Sequence, residues 1–120
     1  MPGATLIPGI NPDSPDVKEA IAAKAVKIVN GTRRGAYGTP ESNFGRIATL
    51  WNAYLVARGI LPPEVLADPA GKNGLVEGDV AAMMRLMKEA RLIETPDHRD
   101  SFVDIVGYAL CGAEVSGVKP

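Results

Sequence analysis

The sequence predicts an all-α domain of four helices with a long loop between the second and third. Three observations carry that prediction. No segment alternates apolar and polar residues for long enough to demand a strand. Apolar residues recur at helical spacing in four separate stretches. A shared opening device, a hydroxyl residue followed by Pro and an acid, stands at Ser14-Pro15-Asp16, Thr39-Pro40-Glu41 and Thr95-Pro96-Asp97. In each, the hydroxyl accepts a free backbone N–H, Pro gives up no hydrogen bond at the first helical position, and the carboxylate faces the positive end of the dipole.

The elements follow in order. Residues 1–13, with Pro2, Pro8, Pro12, Gly3 and Gly9, read as an extended arm, either packed on a neighbouring subunit or disordered. The first helix spans 15–29, with Val17, Ile21, Ala25 and Ile28 on one face. Lys24 falls within that stripe and must snorkel or find a partner. Gly31–Pro40 reads as a glycine-rich turn. The second helix spans 40–57 on a stripe of Phe44, Ile47, Ala48, Trp51 and Leu55. Residues 60–78 form the long connection, with one helical turn at 63–66. The third helix starts near Asp79, its apolar stripe being Val80, Met83, Met84, Met87 and Ala90, with the methionines as core filler. The fourth spans 96–115, turning Phe102, Ile105, Val106, Ala109 and Ala113 inward, with His98 exposed in its first turn. Gly45, Gly107 and Gly112 sit inside helices at some cost. Residues 14–116 therefore make one domain, followed by a tail of 117–120.

Composition narrows the function classes. A chain of 120 residues has room for one domain, and its 46% apolar and 22% charged content is that of a soluble globular protein. A net charge of −1 argues against a nucleic-acid binder that works by bulk electrostatics. One Trp, three Tyr and two Phe are too few for a platform that stacks single strands. The single Cys111 forms no internal disulfide, which points to a reducing compartment. Apolar stretches fall short of the roughly 18 residues a membrane span needs. The N-terminus also lacks the basic and apolar regions of a signal peptide. The expectation is a cytoplasmic protein with neither membrane nor nucleic acid as partner.

Three groups of residues could carry chemistry. Asp100 and Asp104 lie four apart, so both carboxylates project from one helix face. Two like charges there repel unless a cation sits between them, and Mg²⁺ or Mn²⁺ favours carboxylate oxygen. A solvated acidic stripe explains the same spacing, and spacing alone favours it. Lys88 and Arg91, with Arg85 one turn before, give the third helix a cationic face. That face suits either a metal-bound phosphate or plain ion pairs to Asp100 and Asp104. The segment Gly31–Pro40 is no P-loop, but it sets Arg33, Arg34 and Tyr37 beside a helix start. One Cys and one His make no zinc site, and as Cys111 and His98 lie about 20 Å apart along one helix they make no nucleophile pair.

The run Tyr37-Gly38-Thr39-Pro40, then Asn43-Phe44 and Arg46-Ile47-Ala48 leading to Trp51, resembles the opening motif of a family of small phage proteins. Asp79-Val80-Ala81, Lys88, Arg91, Arg99-Asp100, Val103-Asp104-Ile105 and Gly107-Tyr108-Ala109 match its second half, so the resemblance covers most of Gly31–Glu114. That family is similar to the MazG-like all-α nucleoside triphosphate pyrophosphohydrolases, among them the phage MazZ enzymes that turn dGTP into dGMP. The resemblance implies a helical bundle that assembles into a dimer or tetramer, a need for Mg²⁺ or Mn²⁺, and cleavage between the α and β phosphates. It makes Asp100 and Asp104 metal ligands, with Asp100, Asp104 and Lys88 as the catalytic set. Lys88, Arg91 and Arg33 become phosphate contacts, while Tyr37, Asn43, Trp51 and Asn52 become candidates for the base and sugar. One departure matters: where the wider superfamily carries acids three apart, this chain has Glu41 followed by Phe44, and its other pair is four apart. Glu41, Glu19 and an acid from a neighbouring subunit all stand open as the third ligand. The expected function is hydrolysis of a purine deoxynucleoside triphosphate, dGTP favoured, to monophosphate and pyrophosphate. Its rival is a non-catalytic phage accessory protein that binds a nucleotide or a protein partner.

Overall fold

Helices account for all the regular structure in the computed structural model, which describes residues 11–67 and 73–120. Helix α1, Val17–Lys27, runs through a π turn at Ile28–Thr32 into α2, Arg33–Tyr37. Then come α3 (Pro40–Ala57), the single turn α4 (Glu64–Ala67), α5 (Glu77–Glu94) and α6 (Arg99–Val115). The all-α class and four long helical stretches match the sequence reading, and α4 falls close to the turn expected at 63–66. The arm's residues 1–10 and residues 68–72 of the long connection lie outside the described residues.

Of the three predicted starts, one forms as expected. Thr39 Oγ1 accepts the Ser42 N–H at 3.2 Å with Pro40 as the first helical residue. At α1 the cap is Asp16, whose carboxylate accepts the Lys18 N–H at 2.9 Å, while Ser14 Oγ accepts from Asp16 and donates to Glu19. Pro15 restricts Ser14 to extended backbone, and Asp is as good a cap as Ser. At α6 the start moves from 96 to Arg99. Thr95, forced extended by the following Pro, closes α5, its N–H bonding the Arg91 carbonyl at 2.9 Å. His98 then caps α6, its Nδ1 accepting the Ser101 N–H at 3.3 Å, so the histidine is half-buried instead of exposed.

Helix α6 lies at the centre. It pairs antiparallel with α5, as Lys88 opposite Asp104 and Ala81 opposite Gly112 show. It pairs parallel with the α1–α2 stretch, where Val29 meets Gly107 and Arg34 meets Glu114. Both neighbours approach over small residues. A Cβ on Gly107 would sit 3.3 Å from Val29 Cγ1, and one on Gly112 3.2 Å from Ala81 Cβ. This close approach corrects the predicted inner face. The buried positions of α6 are Ser101, Val103, Gly107 and Cys111, while Ile105, Val106, Ala109 and Ala113 are half-buried and Phe102 is exposed. On α5, Val80 and Ala81 are buried and Met84 packs on the core, but Met83, Met87 and Ala90 face out, joined there by Leu86 and Ile93. Two of the three helical methionines are therefore not core filler. The core itself is Phe44, Ala48, Val80, Ala81 and Cys111, with Trp51, Met84 and Tyr108 among the residues packed around it. No helix among the described residues is long and apolar enough to cross a membrane.

Candidate functional site

The segment expected to be a glycine-rich turn is helical through Tyr37, and only Gly38, at φ +83°, breaks the chain direction before α3. Tertiary anchors override the weak helix propensity of Gly31 and Gly35 here. Arg34 clamps Glu114 of α6 at 2.9 and 3.1 Å. Arg33 lies among three rings, its guanidinium carbon 5.2 Å from the centroids of Tyr37 and Phe44 and 5.3 Å from that of Tyr108. These distances are within cation–π range.

A small cleft of about 40 Å³ opens between the α1–α2 stretch and α6, with Arg33, Asp104, Tyr108 and Cys111 on its walls. Burial pushes the Cys111 thiol above its ordinary range, the nearby Arg33 opposing that shift. Asp104 is half-buried and its Oδ2 lies 3.1 Å from Lys88 Nζ, joining α6 to α5. Asp100, one turn earlier on the same face, is exposed, as is Arg91, three residues beyond Lys88. The structure thus brings Asp104, Lys88 and the Arg33 cleft together.

Tyr37 also meets Arg33, but the other candidates are not brought to them. Glu41 lines a separate, open groove of about 740 Å³ between α3, α4 and the residues leading into α5. Glu19 accepts a hydrogen bond from Ser14 at the start of α1. Among the described residues no three His, Cys, Asp or Glu side chains gather as a metal site. Two carboxylates still suit Mg²⁺, which is commonly held by one or two of them together with substrate phosphates and water. Asn52 gives both halves of its amide to Leu75, Nδ2 donating to the carbonyl at 3.0 Å and Oδ1 accepting the N–H at 2.8 Å. Trp51 is half-buried against the core, Asn43 half-buried in the first turn of α3, and Tyr37 exposed above Arg33. Sequence reasoning missed Phe44 and Tyr108 as partners of Arg33. Phe44 reads as core and Tyr108 as part of the Gly107-Tyr108-Ala109 match, and no spacing signal links either to residue 33.

Comparison with known sequences settles the relationship. The DUF6378 family, described as a domain of unknown function, matches residues 20–116. The chain belongs to that family. It is 43% identical over 91 residues to the Gene 55 protein of Mycobacterium phage L5, covering 75% of this chain and 48% of that protein. It is 37% identical over 95 residues to the Gene 55 protein of Mycobacterium phage D29, covering 79% and 52%. The chain therefore spans about half the length of these phage relatives. No solved structure matches it.

Proposed function

We propose that the chain is a metal-dependent pyrophosphohydrolase that converts a purine deoxynucleoside triphosphate, dGTP favoured, to the monophosphate and pyrophosphate in the host cytoplasm. The supporting observation is the meeting of Asp104 and Lys88 at 3.1 Å beside the cleft that Arg33 enters. It joins an acid able to hold a metal to cations able to hold phosphate, in agreement with the resemblance to the MazG-like enzymes. Asp100 and Asp104 would hold Mg²⁺ or Mn²⁺, which when bound polarises phosphate oxygens and lowers the pKa of water. Lys88, paired with Asp104 at 3.1 Å, would exchange that carboxylate for a phosphate oxygen as substrate arrives. Arg33 and Arg91 neutralise the pyrophosphate as it leaves. Contacts to the base fall to Tyr37 and Asn43, since Asn52 is committed to Leu75. The exposed stripe of Met83, Leu86, Met87 and Ile93 on α5 supports assembly into a homo-oligomer.

The second reading is a non-catalytic accessory protein that binds a nucleotide or a protein partner. The observation in its favour is that Glu41 stands apart from Asp100 and Asp104. Incubation with Mn²⁺ and each deoxynucleoside triphosphate separates the two. Monophosphate with pyrophosphate supports the enzyme, the diphosphate with inorganic phosphate overturns its mechanism, and unchanged substrate supports the accessory protein.

A further inference from the structure

We propose that Arg33 and the three rings around it form a preorganised receptor for a single phosphate oxyanion, entered through the cleft between the α1–α2 stretch and α6. The inference deepens the proposed function and rests on it only for which molecule owns the phosphate.

Four observations converge on Arg33. Tyr37, Phe44 and Tyr108 place their rings 5.2–5.3 Å from its guanidinium carbon. A guanidinium has two faces, so one of the three rings lies toward its edge; a ring accepts hydrogen bonds only weakly, and the planar fork of N–H donors matches phosphate oxygens. Next, the adjacent Arg34 has Glu114 at 2.9 Å, whereas no carboxylate among the described residues lies within 4 Å of Arg33. A half-buried cation with no counter-charge favours an incoming anion. Asp104 on the same wall is neutralised by Lys88, so Arg33 sets the charge that the cleft presents.

The backbone adds a third argument. The Arg33 N–H bonds the carbonyl of Ile28, five residues back, which marks the π turn. That extra residue carries position 33 into line with Ala25 and Ile28 on the cleft wall. Such turns are rare and occur frequently at functional sites. The fourth observation is size. A cleft of about 40 Å³ has room for roughly three water-sized groups, which suits the oxygens of one phosphate better than a purine base.

The test is calorimetric titration of the full chain with inorganic pyrophosphate in EDTA, repeated with acetate at equal ionic strength. Wild-type protein is expected to bind pyrophosphate and not acetate. Arg33→Gln should weaken binding at least tenfold. Arg33→Lys, which keeps the charge but not the planar fork, should also weaken it. Tyr108→Leu should also bind more weakly, because the ring holds the cation. Arg34→Gln should bind normally. Absence of wild-type binding, equal binding of acetate, or an Arg33→Lys variant of native circular dichroism that binds as wild type would each overturn the receptor. Binding in EDTA without turnover in Mn²⁺ would leave the receptor standing and the hydrolase fallen. Turnover with an unchanged KM in Arg33→Gln would do the reverse.

Discussion

On the side of α3 that faces α4, the polar side chain is closed. Asn52 engages both the N–H and the carbonyl of Leu75, and its amide has one acceptor and one donor already in use there. On the side that faces α6, the polar side chain is open: Arg33 is held by rings and its N–H edge has no acid within reach among the described residues. Both residues look equally suited to a ligand in the sequence. What separates them is the partner each finds when the chain folds. An amide that closes a loop onto a helix contributes stability, whereas a cation fixed by apolar faces keeps its hydrogen-bonding capacity for something else.

The largest effect is expected beside the open region. On the proposed metal-holding role, Asp104→Asn should lower pyrophosphate release by about 100-fold or more, since such a carboxylate would support several kcal/mol of transition-state stabilisation. Its far-ultraviolet circular dichroism should match wild type. Full activity in this variant would remove Asp104 from the site and leave Arg33 as the only functional group of that cleft.

The closed side predicts the opposite pattern. Asn52→Ala strips two partners from the backbone of Leu75, and part-buried groups left unpaired cost roughly 1–3 kcal/mol. Thermal melting should drop by several degrees while pyrophosphate affinity stays unchanged. A variant that melts normally but loses affinity would invert the comparison.

Smaller effects sharpen it. Arg34→Gln removes an exposed pair with Glu114 and should change stability by no more than about 1 kcal/mol. Cys111 reports on both burial and Arg33. With the folded thiol raised by burial, its contribution to stability is full below the ordinary thiol pKa and is lost as pH rises through the folded value. Melting should therefore decline in alkali, and less so in Cys111→Ala. At pH 8 the native protein should react with iodoacetamide more slowly than a free thiol, and Arg33→Gln more slowly still, since Arg33 is a cation that favours the thiolate.

Much of the fold is legible in the residue order, and the reasons are local. Thr39-Pro40 starts α3 as its chemistry dictates, and the helical period of Phe44, Ala48 and Trp51 marks its inner face. The pairing of Lys88 with Asp104 is one of the readings that their helices allow. Errors arise where contact with another element decides. The inner face of α6 follows Val103, Gly107 and Cys111, because small residues let two helices approach, whereas hydrophobicity alone points to Phe102 and Ile105. Gly31 and Gly35 look like loop residues until Arg33 and Arg34 tie the segment to α3 and α6. Asn52 resembles a base reader because nothing near it in sequence announces Leu75, which is 23 residues away.

The outer stripe of α5 makes the protein a chemical recorder of its own surroundings. Met83 and Met87 stand one helical turn apart and are 40% and 62% exposed, while Met84 between them packs on the core. Thioethers open to solvent take up oxygen from peroxide first, and each sulfoxide turns an apolar position into a polar one. Mild peroxide followed by peptide mass analysis should therefore mark Met83 and Met87 ahead of Met84 when α5 is bare. If that face is shielded by another molecule, the two outer sulfurs should stay reduced, and dilution should restore their reactivity.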